Sequence, residues 1–533
     1  MPASSPVRIA IAQINTAVGD CKGNAEKIIS YISKAKEQHA DIVIFPEMAI
    51  TGYPAEDLWL RKEFIENNLE TLKEIIPHTK GIGAVIGFAC EDDGKLFNSA
   101  AYILDGKLEG TQHKTHLPNY GVFDEKRYFS PASHHQLFSC RGVDFAITIC
   151  EDIWAEDDII AEHSRQGASF IVNISASPFH KGKLQERIAL LSKRAASQNV
   201  PIVYINLVGA QDQLVFDGAS LIFDDAGKLI AKGNSFQEDF VVSPLQGSEI
   251  IPSIDDGEAL LKALILGTRD FIRKNNFHDV VIGLSGGIDS SVTAAIAVEA
   301  LGKEHVVGVL MPSVYTSEES EVDAAQLEKN LGIKVLHFPI DGIVNSYSQA
   351  LAKEFEKVGI GRTEENIQAR IRGNILMALS NKFGWLVLAT GNKSEIATGY
   401  ATLYGDLAGG LAVLGDVFKT DVYRLAEFIN EKKDVIPKNV IAKAPAAELK
   451  PNQKDSDTLP PYEILDPILK SYLEDRKSEE EIIQMGYIPE LVKGIIGMIH
   501  RNEFKRAQIP PCIKVSRMAF GKDWRMPISK HKG

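Results

Sequence analysis

Short apolar runs alternate with amphipathic stretches through the first half of this chain. Strand-like apolar runs occur at residues 7–14, 42–45, 84–89, 98–104, 145–149, 170–174, 202–207 and 220–223. Between the early runs, the stretches 24–38 and 57–76 repeat apolar residues at helical spacing. Compact apolar runs are typical of buried strands, and helical spacing is typical of amphipathic helices. The pattern therefore predicts an α/β domain.

The second half shows a stricter alternation of strands and helices. Strands are predicted at 280–282, 306–310, 335–338 and 385–389, and helices at 257–274, from 291 onward, at 319–330 and at 364–383. This βαβ repetition predicts a parallel, doubly wound sheet. Periodicity is lost from 241 to 256, where Pro, Ser and Gly accumulate. We expect a first domain over 1–245, a linker over 246–258 and a second domain over 259–533.

Length and charge exclude several classes of protein. The 533 residues are enough for two domains, and the 44% hydrophobic and 24% charged content is ordinary for a globular chain. A net charge of -13 without a basic tract argues against a nucleic-acid partner. Five cysteines without paired spacing indicate a reducing compartment and no disulfide or zinc framework. Because we find neither a signal-peptide core nor an apolar run of membrane-spanning length, we expect a cytoplasmic protein without a membrane partner.

A glycine-rich loop lies at the start of the second domain, in the stretch V-V-I-G-L-S-G-G-I-D-S-S at 280–291. A strand, a glycine loop and a helix N-terminus form a geometry that binds phosphate through backbone N–H groups. The loop is not a Walker A motif, because no lysine follows the glycines. The pattern S-G-G-x-D-S resembles the pyrophosphate loop of the ATP-pyrophosphatase superfamily, which implies an ATP site formed by Gly283, Leu284, Ser285, Gly286, Gly287, Ile288, Asp289 and Ser290.

Three chemically active residues of the first domain follow predicted strands. Glu47, Cys150 and Ser177 each lie just past the end of an apolar run, and Lys114 lies in a loop after another strand. Together they offer a base, a nucleophile and a cation for attack on an acyl carbon. Taken alone, each has an ordinary alternative: Cys150 as a buried small hydrophobe, Glu47 as a helix cap and Lys114 as a solvated charge.

The surrounding segments resemble the nitrilase (carbon–nitrogen hydrolase) superfamily. F-P-E, H-K-T-H-L-P-N-Y-G-V-F-D-E and I-C-E-D-I-W look like its three signature blocks, in its chain order. The resemblance implies an α-β-β-α sandwich and a Glu47–Lys114–Cys150 triad, with Glu125 orienting the lysine. The segment N-I-S-A-S-P-F-H-K-G-K is similar to the glutaminase branch, which implies that Tyr120, Ser177 and Lys183 bind glutamine. Lys183 could equally be a solvated loop lysine.

The second domain resembles the ATP-pyrophosphatase superfamily, which implies a Rossmann-like fold. Blocks such as S-G-G-I-D-S-S, L-A-T-G-N-K-S-E and F-K-T-D-V-Y-R-L closely resemble the glutamine-dependent NAD⁺ synthetases. That resemblance implies ATP-dependent amidation of deamido-NAD⁺ with nitrogen from L-glutamine. We further expect a homo-oligomer. The resemblance also implies that Thr390 contacts ATP, that Asn366, Glu395 and Lys505 contact deamido-NAD⁺, that Lys419 lies near the phosphates, and that Asp289 and Glu395 bind Mg²⁺. Asp289 could instead be an ordinary helix cap, and Glu395 an ordinary carboxylate at the start of a helix.

Two alternatives remain at this point. Other amidotransferases use a cysteine after Met1 or between glycines, whereas Pro2 follows Met1 here and Cys150 lies between Ile149 and Glu151. A nucleotide-sensing module with an inactive amidase would have the same domain order, although the complete set of Glu47, Lys114 and Cys150 argues against it.

Overall fold

The computed structural model of the protein describes residues 7–156, 159–253, 255–356, 361–451 and 453–529. The chain divides into two compact units, Met1–Ala259 and Leu260–Gly533. The limits of the linker, 246–258, stay a prediction.

The first unit consists of two large sheets, a small hairpin and four α-helices within its described residues. In chain order, its elements are β1 Ile9–Gln13, α1 Cys21–Glu37, β2 Ile42–Ile44, α2 Lys62–Ile75, β3 Gly83–Asp92, β4 Lys95–Leu104, β5 Lys107–His113, β6 Leu137–Cys140, β7 Val143–Ile149, α3 Ile159–Gln166, β8 Phe170–Ser175, α4 Lys183–Gln198, β9 Ile202–Asn206, β10 Val208–Gln211, β11 Leu214–Asp217, β12 Leu221–Phe223, β13 Leu229–Lys232 and β14 Asp239–Ser243.

The two large sheets pack face to face. Their strand orders are β14-β1-β2-β3-β4-β5 and β13-β12-β9-β8-β7-β6. Alternation along each strand separates two faces: Ile9 and Ile11 of β1 join Phe145 and Ile147 of β7 in the core between the sheets. Ala10 of β1 belongs to the core formed with α1 and α2, and a third core lies between the second sheet and α3 and α4. The α-β-β-α sandwich is thereby confirmed.

The second unit places helices around one parallel sheet. Its elements, beginning with the helix that contains the division between the units, are α5 Asp256–Lys274, β15 Val280–Leu284, α6 Ile288–Leu301, β16 Val306–Leu310, α7 Glu318–Leu331, β17 Lys334–His337, α8 Asp341–Phe355, α9 Arg362–Phe383, β18 Leu386–Ala389, α10 Lys393–Thr398, β19 Leu411–Ala412, α11 Lys419–Lys432, α12 Lys438–Ala442, α13 Tyr462–Leu473, α14 Glu479–Gln484, α15 Pro489–Arg501 and α16 Glu503–Arg506. Among the helices in the described ranges, none is both long and apolar enough to cross a bilayer.

The order of strands in this sheet identifies its ligand-binding edge. The order is β17-β16-β15-β18-β19, and every neighbouring pair is parallel. The chain therefore turns in opposite directions from β15, first toward β16 and later toward β18. In doubly wound sheets, ligands bind outside the carboxyl ends of the strands at this switch point. The Rossmann-like parallel sheet is confirmed, and the glycine loop follows its central strand.

Three local features differ from the sequence predictions. Residues 57–76 form a 3₁₀ turn, Glu56–Leu60, and then the shorter helix α2. The polar strand β5, K-L-E-G-T-Q-H, lies at a sheet edge and therefore has no apolar run to reveal it. Sequence periodicity is lost from 241 onward, but β14 continues to Ser243 and pairs antiparallel with β1. Because every residue of β14 is only half-buried, its sequence shows no alternation.

Gly87 on β3 lies directly against the segment that contains Glu47. A Cβ atom at Gly87 would lie 2.4 Å from both the Met48 nitrogen and the Pro46 oxygen. We expect Gly87→Ala to lower the free energy of unfolding by about 1–3 kcal/mol, because the backbone of this segment must shift. Calorimetry would show a lower melting temperature for the first unit. The control Gly247→Ala places its Cβ 3.6 Å from Ile230, an ordinary contact, and should melt like the wild type. Equal melting of both variants would contradict this packing.

Candidate active site

The ends of three strands bring a carboxylate, an ammonium and a thiol to one end of the sandwich. Glu47 follows β2, Lys114 directly follows β5 and Cys150 directly follows β7. Strands β2 and β5 belong to one sheet and β7 to the other. A hydrogen bond connects the two sheets here: the N–H of Ala176, which directly follows β8, donates to Glu47 Oε2 at 2.7 Å.

A buried lysine lies between two buried glutamates. The Nζ atom of Lys114 is 2.8 Å from Glu47 Oε1 and 2.9 Å from Glu125 Oε1. Burial opposes the charged form of Lys114, but Glu125 and Glu47 hold its pKa well above the usual range. Burial raises the pKa of Glu125 to about 7; Lys114 lowers it and Glu47 raises it further. The structure thus brings Glu47, Lys114 and Glu125 into one charged group.

Two further side chains hold these carboxylates, and neither is among the site residues predicted from the sequence. Asn98 on β4 donates through Nδ2 to Glu47 Oε1 at 2.7 Å. Tyr53 donates its hydroxyl to Glu125 Oε1 at 2.9 Å. A fully buried asparagine on an apolar strand is a signal that such a contact exists, since a buried amide needs partners. Nothing in the sequence near Tyr53 indicates its partner.

Cys150 adopts a strained backbone conformation at the end of β7. Its φ is +46°, in the left-handed region, and it begins the 3₁₀ turn Cys150–Ile153. A non-glycine residue in this region costs roughly 1–2 kcal/mol, and such strain is often found at functional sites. Burial raises the pKa of the Cys150 thiol well above its usual value, Glu47 raises it further and Lys114 lowers it. The resting thiol is therefore neutral and needs a base to become a nucleophile.

Two of the three residues predicted to bind glutamine, Tyr120 and Lys183, lie near Glu151, the residue after Cys150. Tyr120 donates its hydroxyl to a Glu151 carboxylate oxygen at 2.9 Å. Lys183 begins α4, and its Nζ lies 3.7 Å from the centroid of the Trp154 ring. Ser177 follows β8, and its N–H donates to Asn206 Oδ1 at 2.8 Å. Burial lowers the pKa of Lys183, and the nearby Arg187 lowers it further. Burial raises the pKa of Glu151, whereas the hydrogen bond from Tyr120 and the charges of Lys114 and Lys183 lower it.

In the second unit, the glycine loop joins β15 to the N-terminus of α6. Gly286 has a φ of +71°, and a Cβ there would lie 2.2 Å from the Ser320 carbonyl oxygen. Only glycine fits both the conformation and the space. Ser290 Oγ accepts from the Ser285 N–H at 3.3 Å and donates to the Gly287 carbonyl at 3.0 Å. The loop therefore has a defined conformation at the helix N-terminus, which is suited to binding an anion.

Two carboxylates from neighbouring strand ends converge on one lysine. Asp289, in the first turn of α6, and Glu395, in the first turn of α10, both contact the Nζ of Lys419, the latter at 3.2 Å. Burial raises the pKa of Glu395 to about 8; Lys419 lowers it and Asp289 raises it. Burial disfavours the charged form of Lys419, but Asp289 and Glu395 raise its pKa above the usual range.

The Asp289 and Glu395 pair fits a hard divalent cation as a donor set. Asp289 Oδ2 and Glu395 Oε1 face one position, which the ammonium of Lys419 takes here. Among the residues that the structure describes, no three or more His, Cys, Asp and Glu side chains form a metal-binding group. Mg²⁺ typically binds one or two carboxylates and completes its shell with water and substrate phosphate, so two carboxylates suffice.

The other predicted nucleotide contacts lie in two places, at the end of β18 and around the segment after α10. Thr390 directly follows β18, and Asn392 donates to Asp289 Oδ1 at 2.9 Å, which joins the two strand ends at the switch point. Asn366 on α9 accepts from the Thr402 hydroxyl at 2.8 Å. Lys505 on α16 donates to the Gly399 and Ala401 carbonyls, each at 2.8 Å. Asn366 and Lys505 therefore contact the same segment after α10.

Comparison with known proteins gives a consistent result for both units. The carbon-nitrogen hydrolase family model matches residues 8–253, and the NAD synthase family model matches residues 260–509. Glutamine-dependent NAD(+) synthetases from Thermotoga maritima and Synechocystis sp. are 45% and 44% identical to this chain, in each case over 98% of both chains.

Solved structures agree over the full length. The glutamine-dependent NAD⁺ synthetase of Acinetobacter baumannii, in complex with adenosine diphosphate, is 39% identical, covers 98% of both chains and has a TM-score of 0.80. The synthetase of Cytophaga hutchinsonii has a TM-score of 0.87 over 99% of this chain and 98% of its own; at 24% identity it supports the fold alone. With two curated relatives above 40% identity over nearly the entire length, the chain belongs to the glutamine-dependent NAD(+) synthetase family.

Proposed function

We propose that this enzyme converts deamido-NAD⁺ to NAD⁺, using ATP and ammonia that it releases from L-glutamine. One observation carries the proposal: the chain holds two charged sites. In the first unit, Lys114 lies between Glu47 and Glu125 next to Cys150. In the second unit, Asp289 of the glycine loop contacts Lys419. The full-length relatives of the chain are named for this activity. The reaction is the last step of NAD⁺ biosynthesis.

The first unit releases the nitrogen. Glu47 takes the proton of the Cys150 thiol, and the thiolate attacks the side-chain amide carbon of glutamine. The ammonium of Lys114 stabilises the oxyanion that develops on the amide oxygen. The carbon–nitrogen bond then breaks, ammonia leaves with the proton from Glu47, and water hydrolyses the thioester to glutamate. Tyr120, Ser177 and Lys183 hold the amino-acid end of the substrate.

The second unit activates the acceptor. The loop from Gly283 to Ser290 binds ATP phosphates, and Thr390 contacts ATP. The pyridine carboxylate of deamido-NAD⁺ attacks the α-phosphorus, and pyrophosphate leaves. Ammonia then displaces AMP from the adenylate, which gives the amide of NAD⁺. The carboxylate must first be adenylated because its oxygen is otherwise a poor leaving group. Asn366, Glu395 and Lys505 contact deamido-NAD⁺.

Magnesium and assembly complete the proposal. Asp289 and Glu395 would hold Mg²⁺, which would neutralise phosphate charge when bound. Because the ammonium of Lys419 contacts both carboxylates, it is placed to interact with the phosphates of ATP. A cytoplasmic homo-oligomer stays a prediction from the sequence.

The full reaction and one variant test this assignment. With deamido-NAD⁺, ATP, Mg²⁺ and glutamine, mass spectrometry should detect NAD⁺, AMP, pyrophosphate and glutamate. Cys150→Ala should abolish NAD⁺ formation from glutamine and keep it with ammonium, because the second unit contains its own chemistry. Cys140, another buried cysteine of the first unit, gives the matched control Cys140→Ala, which should use both nitrogen sources.

Two results would contradict the assignment. If Cys150→Ala loses NAD⁺ formation from both glutamine and ammonium while Cys140→Ala keeps both, Cys150 has a structural role. A wild-type protein that binds ATP but releases no pyrophosphate in the presence of glutamine and deamido-NAD⁺ would favour a nucleotide-sensing module.

The pKa of Glu125 predicts the pH dependence of glutamine hydrolysis. Since burial raises this pKa to about 7, the carboxyl loses its proton near neutral pH and then pairs fully with Lys114. We expect kcat/KM for glutamine to rise as the pH increases through about 7. Glu125→Gln should remove this rise and lower the plateau by about 100-fold, because Lys114 is less firmly held. Stopped assays of glutamate release from about pH 5.5 to about pH 8.5, a range that brackets the expected midpoint, would measure both effects.

The exposed residue Glu91 on β3 supplies the control. Glu91→Gln should keep both the rise and the plateau of the wild type. An unchanged pH profile in Glu125→Gln would exclude Glu125 as the group that titrates.

A further inference from the structure

We infer that Asp152 is a positioning residue that fixes the nucleophile turn of Cys150 against the loop of Lys114. This inference rests on the proposed hydrolysis of glutamine by Cys150. Asp152 lies two residues after the nucleophile, is buried, and uses both carboxylate oxygens as hydrogen-bond acceptors.

One oxygen holds the turn. Asp152 Oδ2 accepts from the N–H of Ile149 at 2.9 Å, across the turn that contains Cys150. Ile149 is the last residue of β7, and Cys150 directly after it has its φ at +46°. Strained conformations persist only where the surroundings over-determine them. The bond from Ile149 closes the turn in this conformation.

The other oxygen reaches the opposite sheet. Asp152 Oδ1 accepts from the N–H of Thr115 at 3.0 Å and from the N–H of His116 at 2.8 Å. The His116 ring nitrogen Nδ1 is also 3.2 Å from this oxygen. Thr115 and His116 directly follow Lys114 at the end of β5. One carboxylate therefore joins the segment after the lysine to the turn that presents the cysteine.

A local helix cap would not produce this arrangement. A capping role accounts for the bond from Ile149 but not for the bonds from Thr115 and His116, which lie more than thirty positions earlier in the chain. Because β5 and β7 belong to different sheets, their ends need a connection of fixed length. A misplacement of about 1 Å between reacting groups can lower a rate by about 100-fold, so this connection has a direct effect on catalysis.

The side-chain chemistry is specific to aspartate. A carboxylate has two acceptor oxygens, whereas asparagine has one acceptor oxygen and an amide that only donates. In Asp152→Asn, the NH₂ half of the side-chain amide must face either the N–H of Ile149 or the N–H groups of Thr115 and His116. One side of the connection is then lost, although the size of the side chain is unchanged.

The experiment compares Asp152→Asn with Asp41→Asn in the full-length enzyme. Asp41 is buried in the same unit, accepts from the Arg8 N–H at 2.8 Å and directly precedes β2, whereas Glu47 follows that strand. We measure glutamine kcat/KM, ammonium-driven NAD⁺ formation, and the rate at which iodoacetamide alkylates the Cys150 peptide. Ammonium-driven synthesis reports the amount of folded enzyme.

We expect Asp152→Asn to lower glutamine kcat/KM by about 100-fold and to slow Cys150 alkylation, with ammonium-driven synthesis unchanged. Slower alkylation follows because the thiolate forms only when Glu47 and Lys114 are correctly placed. Asp41→Asn should match the wild type in all three measurements. Asp152→Glu, which keeps two acceptor oxygens, should lose less glutamine activity than Asp152→Asn. If Asp152→Asn does not fold, Asp152→Glu is measured in its place.

Wild-type alkylation and wild-type glutamine kcat/KM in Asp152→Asn would overturn the inference. So would an equal fall in glutamine-driven and ammonium-driven synthesis, since that pattern indicates a general loss of folded enzyme. If the wild-type enzyme itself fails to hydrolyse glutamine, the proposed function is refuted instead, so the two failures are distinguishable.

Discussion

The ammonium of Lys114 between Glu47 and Glu125 is the interaction on which the first unit depends. A buried charge without partners is strongly destabilising, so Lys114 cannot occupy this position unless both carboxylates meet it. Glu47 is in turn held by Asn98 from β4 and by the backbone after β8. The charged group therefore requires the ends of strands from both sheets to converge, and this convergence also places Cys150 beside a base and a cation.

The second unit uses the same physical device for a different purpose. Lys419 lies between Asp289 and Glu395, which begin helices after adjacent parallel strands. In both units a buried ammonium keeps two carboxylates close despite their repulsion. The difference lies in the surroundings: the first group lies next to a thiol, and the second lies next to a glycine loop at a helix N-terminus. Proton transfer suits the first, and binding of phosphate and a divalent cation suits the second.

Much of this arrangement is predictable from the sequence because it follows strand ends. Apolar runs locate β2, β7, β15 and β18, and the residues after them include Glu47, Cys150 and Glu395. The contacts of Tyr53, Asn98 and Asp152 are not predictable, because each joins segments far apart in the chain. Strands β5 and β14 escape prediction for another reason: they are polar or half-buried edge strands, so burial leaves no periodic pattern in them.

In the proposed reaction, Cys150 carries the acyl group of glutamine while ammonia leaves. The most direct test of this step is acid quenching of the enzyme during turnover with glutamine alone, followed by digestion and mass spectrometry of the Cys150 peptide. We expect a glutamyl group on that peptide in thioester linkage, formed with loss of ammonia and removed by hydroxylamine. Ammonia release without acylation of Cys150, or with the glutamyl group on another residue, would contradict the proposed reaction.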